Sequence, residues 1–300
     1  MEIIEKIIEN KNGTTILAHS YQSPDILSVA DVKGDSYMLA KAAAKLDSKR
    51  VVVCGVRFMA EVVKILSPEK EVVLANPAAG CPMADCVDFE KLQAVKKEFS
   101  NIPIVSYINT TVQTKAISDV CVTSSSAVKI IKAMPEKELI FLPDRNLGSW
   151  IQKRIPEKKI ILWDGCCPVH NSVLGSEAKR EKRRHKDAFL AVHPECNSDV
   201  TSVADVVGAT STILDLIMDL DVPVIIGTEI GVYDFIKANY PEKKVYQLCP
   251  DKLVCKDMKL TTIENVYDAV TGKGGEVIEI DEETRLLAKK SLDAMLKYGN

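Results

Sequence analysis

The feature that most constrains this chain is that it states one pattern three times, with a period near 86 residues. Each copy opens with a strand-like run ending in polar residues: TTILAHSYQ with His19, IPIVSYINTT with Asn109, and DAFLAVHPECN with His193. A second short run then meets a hydroxyl-rich turn and a helical pattern, as KGDSYMLAKAA, VTSSSAVKIIKAM and GATSTILDLIM. A third strand and helix follow: VVVCGVRFMAEVVKIL, LIFLPDRNLGSWIQKR and PVIIGTEIGVYDFIKANY. Every copy closes with a strand and a cysteine, in EVVLANPAAGCPMAD, KKIILWDGCCPVH and KKVYQLCPDKLVCKDMK. Val/Ile-rich runs alternating with helical stretches mark βα units on parallel sheets, and recurrence at a fixed period marks a repeated architecture. The pattern predicts an α/β protein of three small three-layer domains, related by pseudo-threefold symmetry around a central cavity. The expected boundaries are residues 1–86, 87–171 and 172–300, the last carrying a C-terminal helix.

The repeat places Cys81, Cys167 and Cys255 at equivalent ends of the copies, 86 and 88 residues apart. In doubly wound sheets ligands collect at the carboxyl ends of the strands. Three such domains facing one axis would bring those sulfurs together. The chain has 9 cysteines and no CxxC, so the paired spacing of a structural zinc site or a redox dithiol is missing. Three sulfurs from three domains suit an iron–sulfur cluster; zinc and unligated thiols stay open as alternatives. A cluster with only three protein ligands would leave one iron free to act as a Lewis acid. Cys54, Cys121 and Cys196 read as core or structural residues, and Cys86, Cys166 and Cys249 as neighbours of the candidate ligands.

Gly34-Asp35-Ser36, Thr123-Ser124-Ser125-Ser126 and Ala209-Thr210-Ser211-Thr212 each precede a helical pattern. One such turn is an ordinary N-cap. Three at equivalent positions would aim helix N–H groups and dipoles at one cavity, which suits phosphate and carboxylates. His19, Asn109 and His193 are expected at strand ends around it. Of the 4 histidines, His19, His170 and His193 fall within motifs, whereas His185 lies in the basic run KREKRRHK, which reads as a solvated helix face. Glu195 is a candidate general base, and Tyr21 and Tyr107 are candidate proton carriers.

With 46% hydrophobic and 27% charged residues and a net charge of -3, the chain can bury a core and offers no electrostatic case for nucleic acid. No apolar run approaches the roughly 18 residues of a membrane span. The opening MEIIEKIIENKNGTT reads as an amphipathic helix rather than a signal peptide. A cytoplasmic protein with reduced cysteines is therefore expected.

The segments ILAHSYQ, GDS, GVRFMAEVVKILSPEK, CPMAD, YINTT, VTSSSAV, PDRNLG, CCPVH, VHPEC, GTEIG and CKDMK resemble, in order, the motif series of quinolinate synthase, from about residue 16 to residue 259. The resemblance implies one [4Fe-4S] cluster held by Cys81, Cys167 and Cys255, with its remaining iron open to substrate. It implies condensation of iminoaspartate with dihydroxyacetone phosphate to quinolinate, phosphate and water in NAD biosynthesis, the open iron acting as Lewis acid in dehydration. By the same resemblance His19, Ser36, Asn109, Ser124, His193 and Thr210 bind substrate carboxylates and phosphate, while Tyr21, Tyr107 and Glu195 assist proton transfers. The enzyme that supplies the unstable iminoaspartate is a candidate partner. Three positions depart from the family pattern: Ser20 for Asn or Tyr, Ala209 for Ser, and Cys166 for His or Ala.

Overall fold

The three copies pair their strands in one order. The computed structural model describes residues 2–299. The first copy forms β1 (Thr14–His19), β2 (Val32–Gly34), β3 (Arg50–Cys54) and β4 (Glu71–Leu74), arranged β2-β1-β3-β4. The second forms β5 (Ile104–Tyr107), β6 (Val120–Val122), β7 (Glu138–Leu142) and β8 (Lys159–Leu162), arranged β6-β5-β7-β8. The third forms β9 (Phe189–Val192), β10 (Val206–Val207), β11 (Val224–Gly227) and β12 (Val245–Gln247), arranged β10-β9-β11-β12. Pairing within these orders is parallel throughout. Parallel neighbours need crossover helices, which cover the sheet faces and make the strands apolar along their length. Val51, Val52, Val53 and Cys54 accordingly lose all contact with solvent, as do Leu190, Ala191 and Val192.

The repeat extends to side chains. Asp31, Asp119 and Asp205 each accept the N–H of a first-strand residue, Ile16, Ile104 and Leu190, at 2.8 Å. Each is also paired with a lysine: Lys11, Lys96 and Lys182. Likewise Lys70, Lys158 and Lys243 each donate to two carbonyls at the end of the preceding helix–strand connection. The signal for this last device is the tripeptide Pro-Glu-Lys, present at 68–70, 156–158 and 241–243.

These fixed points set the register between copies. Counting from Ile16, Ile104 and Leu190, His19 corresponds to Tyr107 and His193, and Tyr21 to Asn109 and Glu195. The expected grouping of Asn109 with the two histidines is thus shifted by two residues. Tyr21, Asn109 and Glu195 lie past the strand ends, and the turns there bring both sets to the wall of one cavity.

Residues past 260 leave the third sheet. Helix Ile263–Thr271 packs Val266 and Ala269 on the first unit, and β13 (Glu276–Val277) adds antiparallel to β4. Helix Glu282–Gly299 crosses to the second unit, where Ser291 Oγ donates to Lys115 O at 3.0 Å and Cys121 Sγ donates to Ser291 Oγ at 3.3 Å. Arg285 meanwhile reaches Ile65 O of the first unit at 3.1 Å. Among the described residues no helix is long and apolar enough to cross a membrane.

The nearly buried Lys158 ammonium satisfies Met134 O and Glu136 O, and carbonyls left bare there would lose charge-assisted bonds. Lys158→Met should cost about 1–3 kcal/mol of stability, read by thermal or urea unfolding. A change within about 0.5 kcal/mol would count against a structural role for the repeated lysines.

Candidate active site

The carboxyl ends of the three sheets surround one cavity of about 70 Å³. The first unit sends His19, Tyr21, Ser36 and Cys81 to its wall; the second sends Tyr107, Asn109, Ser124 and Cys167; the third sends His193, Glu195, Thr210 and Cys255. All twelve residues expected to ligate the cluster, bind substrate or transfer protons therefore line the same space. Its wall also includes apolar surface from Val56, Phe58, Met59 and Met258.

The two pseudo-equivalent histidines are set by identical local turns. Tyr21 N donates to His19 Nδ1 at 3.2 Å, and Glu195 N donates to His193 Nδ1 at 3.3 Å. Each ring thus accepts on Nδ1 and carries its proton on Nε2, where His193 meets Ser124 Oγ at 3.3 Å. Burial holds both imidazoles down at about 4. They are neutral N–H donors at physiological pH.

Glu195 follows on the same loop and is buried. Its Oε1 accepts from Tyr107 OH at 2.7 Å, and its Oε2 lies 2.8 Å from His170 Nδ1. Burial pushes its carboxyl up, but His193, His170 and the Tyr107 hydroxyl outweigh that and hold it well below the usual carboxylate range. Burial and the Glu195 charge push the Tyr21 and Tyr107 phenols well up, so both keep their protons. The chain of contacts continues from His170 Nε2 to Thr228 Oγ1 (3.0 Å), Tyr21 OH (2.9 Å) and Thr210 Oγ1 (2.9 Å). One ionised carboxylate is therefore linked to two protonated phenols across all three units.

The hydroxyl-rich turns divide their donors differently from expectation. Asp35 caps helix Ser36–Ala43 by accepting from Tyr37 N and Met38 N, which takes up first-turn amides and leaves Ser36 on the cavity. In the second turn Thr123 and Ser126 bond each other. Helix Thr210–Asp219 starts at Ala209 without a side-chain cap, a contact usually worth about 1 kcal/mol. Asn109 Oδ1 is buried and unpartnered.

Cys81 and Cys167 are the N-caps of the one-turn helices Pro82–Asp85 and Pro168–Asn171. Proline at the first helical position spares an N–H and presets φ. The amides of Ala84 and Met83 face the Cys81 sulfur, that of His170 faces Cys167, and those of Met258 and Asp257 face Cys255. Burial nevertheless pushes the thiols up, Cys81 to about 12, Cys255 to about 11 and Cys167 well above its usual value. A bound cation would reverse that balance by taking the place of the proton. Two buried carboxylates fix the loops: Asp144 accepts Cys167 N at 2.8 Å and Glu229 accepts Cys255 N at 3.2 Å. Burial and the nearby Glu195 push the Asp144 carboxyl up to about 7. Cys166, adjacent to Cys167, is not among the cavity residues. Cys54, Cys121 and Cys196 are buried in the core.

A second donor group overlaps the first. Ligand atoms of Cys167, His170 and Glu195 lie within 4.8 Å of one another. Sequence reasoning noticed His170 without giving it a site role; its signal was the i, i+3 spacing from Cys167 across the Pro168–Asn171 turn. Asp144, Thr228 and Glu229 were missed because each follows a middle strand, β7 or β11, and meets its partners only through sheet packing. His185 is not simply solvated: its ring stacks on Tyr246 at 3.7 Å.

The neutral histidines have a consequence for stability. The unfolded chain protonates each near 6.5, while His193 in the fold titrates at about 4. Between those values the unfolded state holds more protons, so stability falls as pH falls. The metal-free protein should melt lower at pH 5 than at pH 7, and His193→Gln should flatten that slope. An unaltered slope in the variant would show that His193 is not buried as a neutral ring.

The chain matches the family described as "Quinolinate synthetase A protein" over residues 2–297. It is 46% identical over 302 residues to a quinolinate synthase of Clostridium perfringens, with 100% of both chains covered. It is 44% identical over 295 residues to one from Alkaliphilus metalliredigens, covering 98% of this chain and 96% of the relative. For one from Caldicellulosiruptor bescii the identity is 44% over 297 residues, with 99% and 97% covered. With near-complete coverage of both partners, and each expected site residue on one cavity wall, the chain belongs to the quinolinate synthetase A family.

Proposed function

We propose that this protein is a cytoplasmic quinolinate synthase of NAD biosynthesis, condensing iminoaspartate with dihydroxyacetone phosphate to quinolinate, phosphate and water. The observation that carries this reading is the convergence of Cys81, Cys167 and Cys255, one from each repeat, on a cavity that also holds His19, Tyr21, Tyr107, His193 and Glu195. Three sulfurs faced by backbone N–H groups are a thiolate donor set suited to one [4Fe-4S] cluster with an iron left open. Such a cluster supplies a Lewis acid that polarises a departing hydroxyl.

The protein's own groups do the rest. His19 and His193 present neutral Nε2–H donors, and Ser36, Asn109, Ser124 and Thr210 add hydroxyl and amide groups, for substrate carboxylates and phosphate. Holding both substrates this way supplies the proximity a condensation needs. Glu195, ionised, accepts a proton from substrate, and Tyr107, bonded to its Oε1, returns one to a leaving oxygen. Tyr21, protonated and braced by Thr210 and Thr228, is placed as a second donor. The enclosing walls protect reactive imines from hydrolysis.

A mononuclear metal on Cys167, His170 and Glu195 is the competing reading, favoured by their closeness. Against it, His170 and Glu195 already spend their polar atoms on each other, Thr228 and Tyr107. Anaerobic reconstitution separates the two: about four irons with matching sulfide are expected per chain. Iron or zinc without sulfide would overturn the cluster. Mixing the loaded protein with both substrates should yield quinolinate; a product from some other polyanion instead would point to a different dehydratase.

Cys81→Ser, Cys167→Ser and Cys255→Ser should each abolish cluster and activity, whereas Cys54→Ser should keep both. Equal loss in Cys54→Ser would undo the ligand assignment. Tyr107→Phe should retain iron and lower kcat by roughly 10²- to 10⁴-fold, the usual contribution of a positioned acid or base.

A further inference from the structure

Lys259 stands behind the cavity wall, in the segment that follows Cys255, and touches none of the cavity itself. Its ammonium donates to Tyr21 O at 2.6 Å, across the junction between the third and first units. The same nitrogen lies 3.3 Å from Glu229 Oε1 and 3.4 Å from Glu229 Oε2. Glu229 is fully buried, and its two oxygens also receive Cys255 N and Gly231 N. The Lys259 ammonium is thus one bond from the backbone of the proposed acid Tyr21 and, through one carboxylate, two bonds from the amide of the proposed ligand Cys255, whose carbonyl also accepts the Lys259 backbone N–H at 3.1 Å.

Neighbouring contacts make this junction tight. Gln22 Nε2 donates to Met258 O at 2.8 Å, tying a neighbour of Tyr21 to a neighbour of Lys259. A Cβ at position 231 would sit 2.6 Å from Tyr21 O, so only glycine lets that helix start approach the carbonyl. The phenol end of Tyr21 is meanwhile held by Thr210 and Thr228 of the third unit. Tyr21 is therefore gripped at both ends by the third unit, and Lys259 supplies the charged grip.

We propose that Lys259, with Glu229, is a positioning pair that couples the Cys255 loop to Tyr21 and keeps the first and third units closed over the cavity. It rests on the synthase reading and adds residues to which that reading gave no part. A misplacement of about 1 Å at a reacting group can cost roughly 10²-fold in rate, so the pair's effect belongs in kcat.

The test uses the full chain, reconstituted anaerobically. Lys259→Met removes the grip; Lys259→Met/Glu229→Gln removes the charges together, avoiding a buried unpaired carboxylate. Lys259→Arg restores the cation. With iron and sulfide content equal to the unmodified protein, Lys259→Met and the double variant should lose roughly 10- to 100-fold in kcat with KM moved less than about 3-fold, and Lys259→Arg should recover most of the loss. Iron release to a chelator should be several-fold faster in Lys259→Met than in the unmodified protein, whether or not substrate is turned over. Unchanged kcat and unchanged iron release would overturn the proposal. So would a double variant that fails to hold the cluster, or an arginine variant as impaired as the methionine one, since either makes the pair only structural. If the unmodified loaded protein forms no quinolinate, the synthase reading fails instead, and iron release still decides the closure.

Discussion

The structure turns on one buried negative charge. Glu195 lies in a cavity wall where an uncompensated carboxylate would cost several kcal/mol. Its direct compensation comes from the Tyr107 hydroxyl and the His170 ring of the second unit. Through Thr228 the same set of contacts reaches Tyr21 of the first unit. Packing alone would let three small α/β units dock in many ways. A carboxylate that needs partners from another unit selects one arrangement.

Around that charge the repeat is symmetric in backbone and asymmetric in chemistry. Every unit uses the same strand order, the same aspartate under its first strand and the same lysine under its fourth. On this common frame His19, Tyr107 and His193 occupy one equivalent position, and Tyr21, Asn109 and Glu195 another, two residues further on. Two neutral imidazoles, two protonated phenols, an amide and an ionised carboxylate result from a single backbone plan. The same holds for the cysteine loops: Asp144 and Glu229 hold Cys167 and Cys255 by their amides, while the corresponding place after β3 is Gly55-Val56. The tail, Ile263 onward, has no counterpart in the other copies and is spent strapping the first and second units together.

Much of this was legible along the chain because it is local or periodic. Parallel strands announce themselves as short apolar runs between helical stretches, and the recurrence of a cysteine after each fourth strand gave three positions on one wall. What stayed hidden has physical reasons. The buried acids Asp144 and Glu229 look like ordinary loop residues until the amides they accept are known. Lys259 reads as one more surface lysine, although its nitrogen bridges two units. In the first hydroxyl-rich turn a chain cannot show that Asp35 takes the Tyr37 and Met38 amides for its own helix cap.

Sequence by itself determined the α/β class, the threefold repeat and the set of residues that face the strand ends, because side-chain alternation and period are properties of the backbone's own geometry. Tertiary structure alone decided which of those groups are neutral or charged, and which loop touches which. Protonation depends on burial and on the nearest charge, and both arise only where units distant in sequence meet. That is why the tautomers of His19 and His193, the ionised state of Glu195 and the bridge from Lys259 to Tyr21 belong to the fold and to no single segment of it.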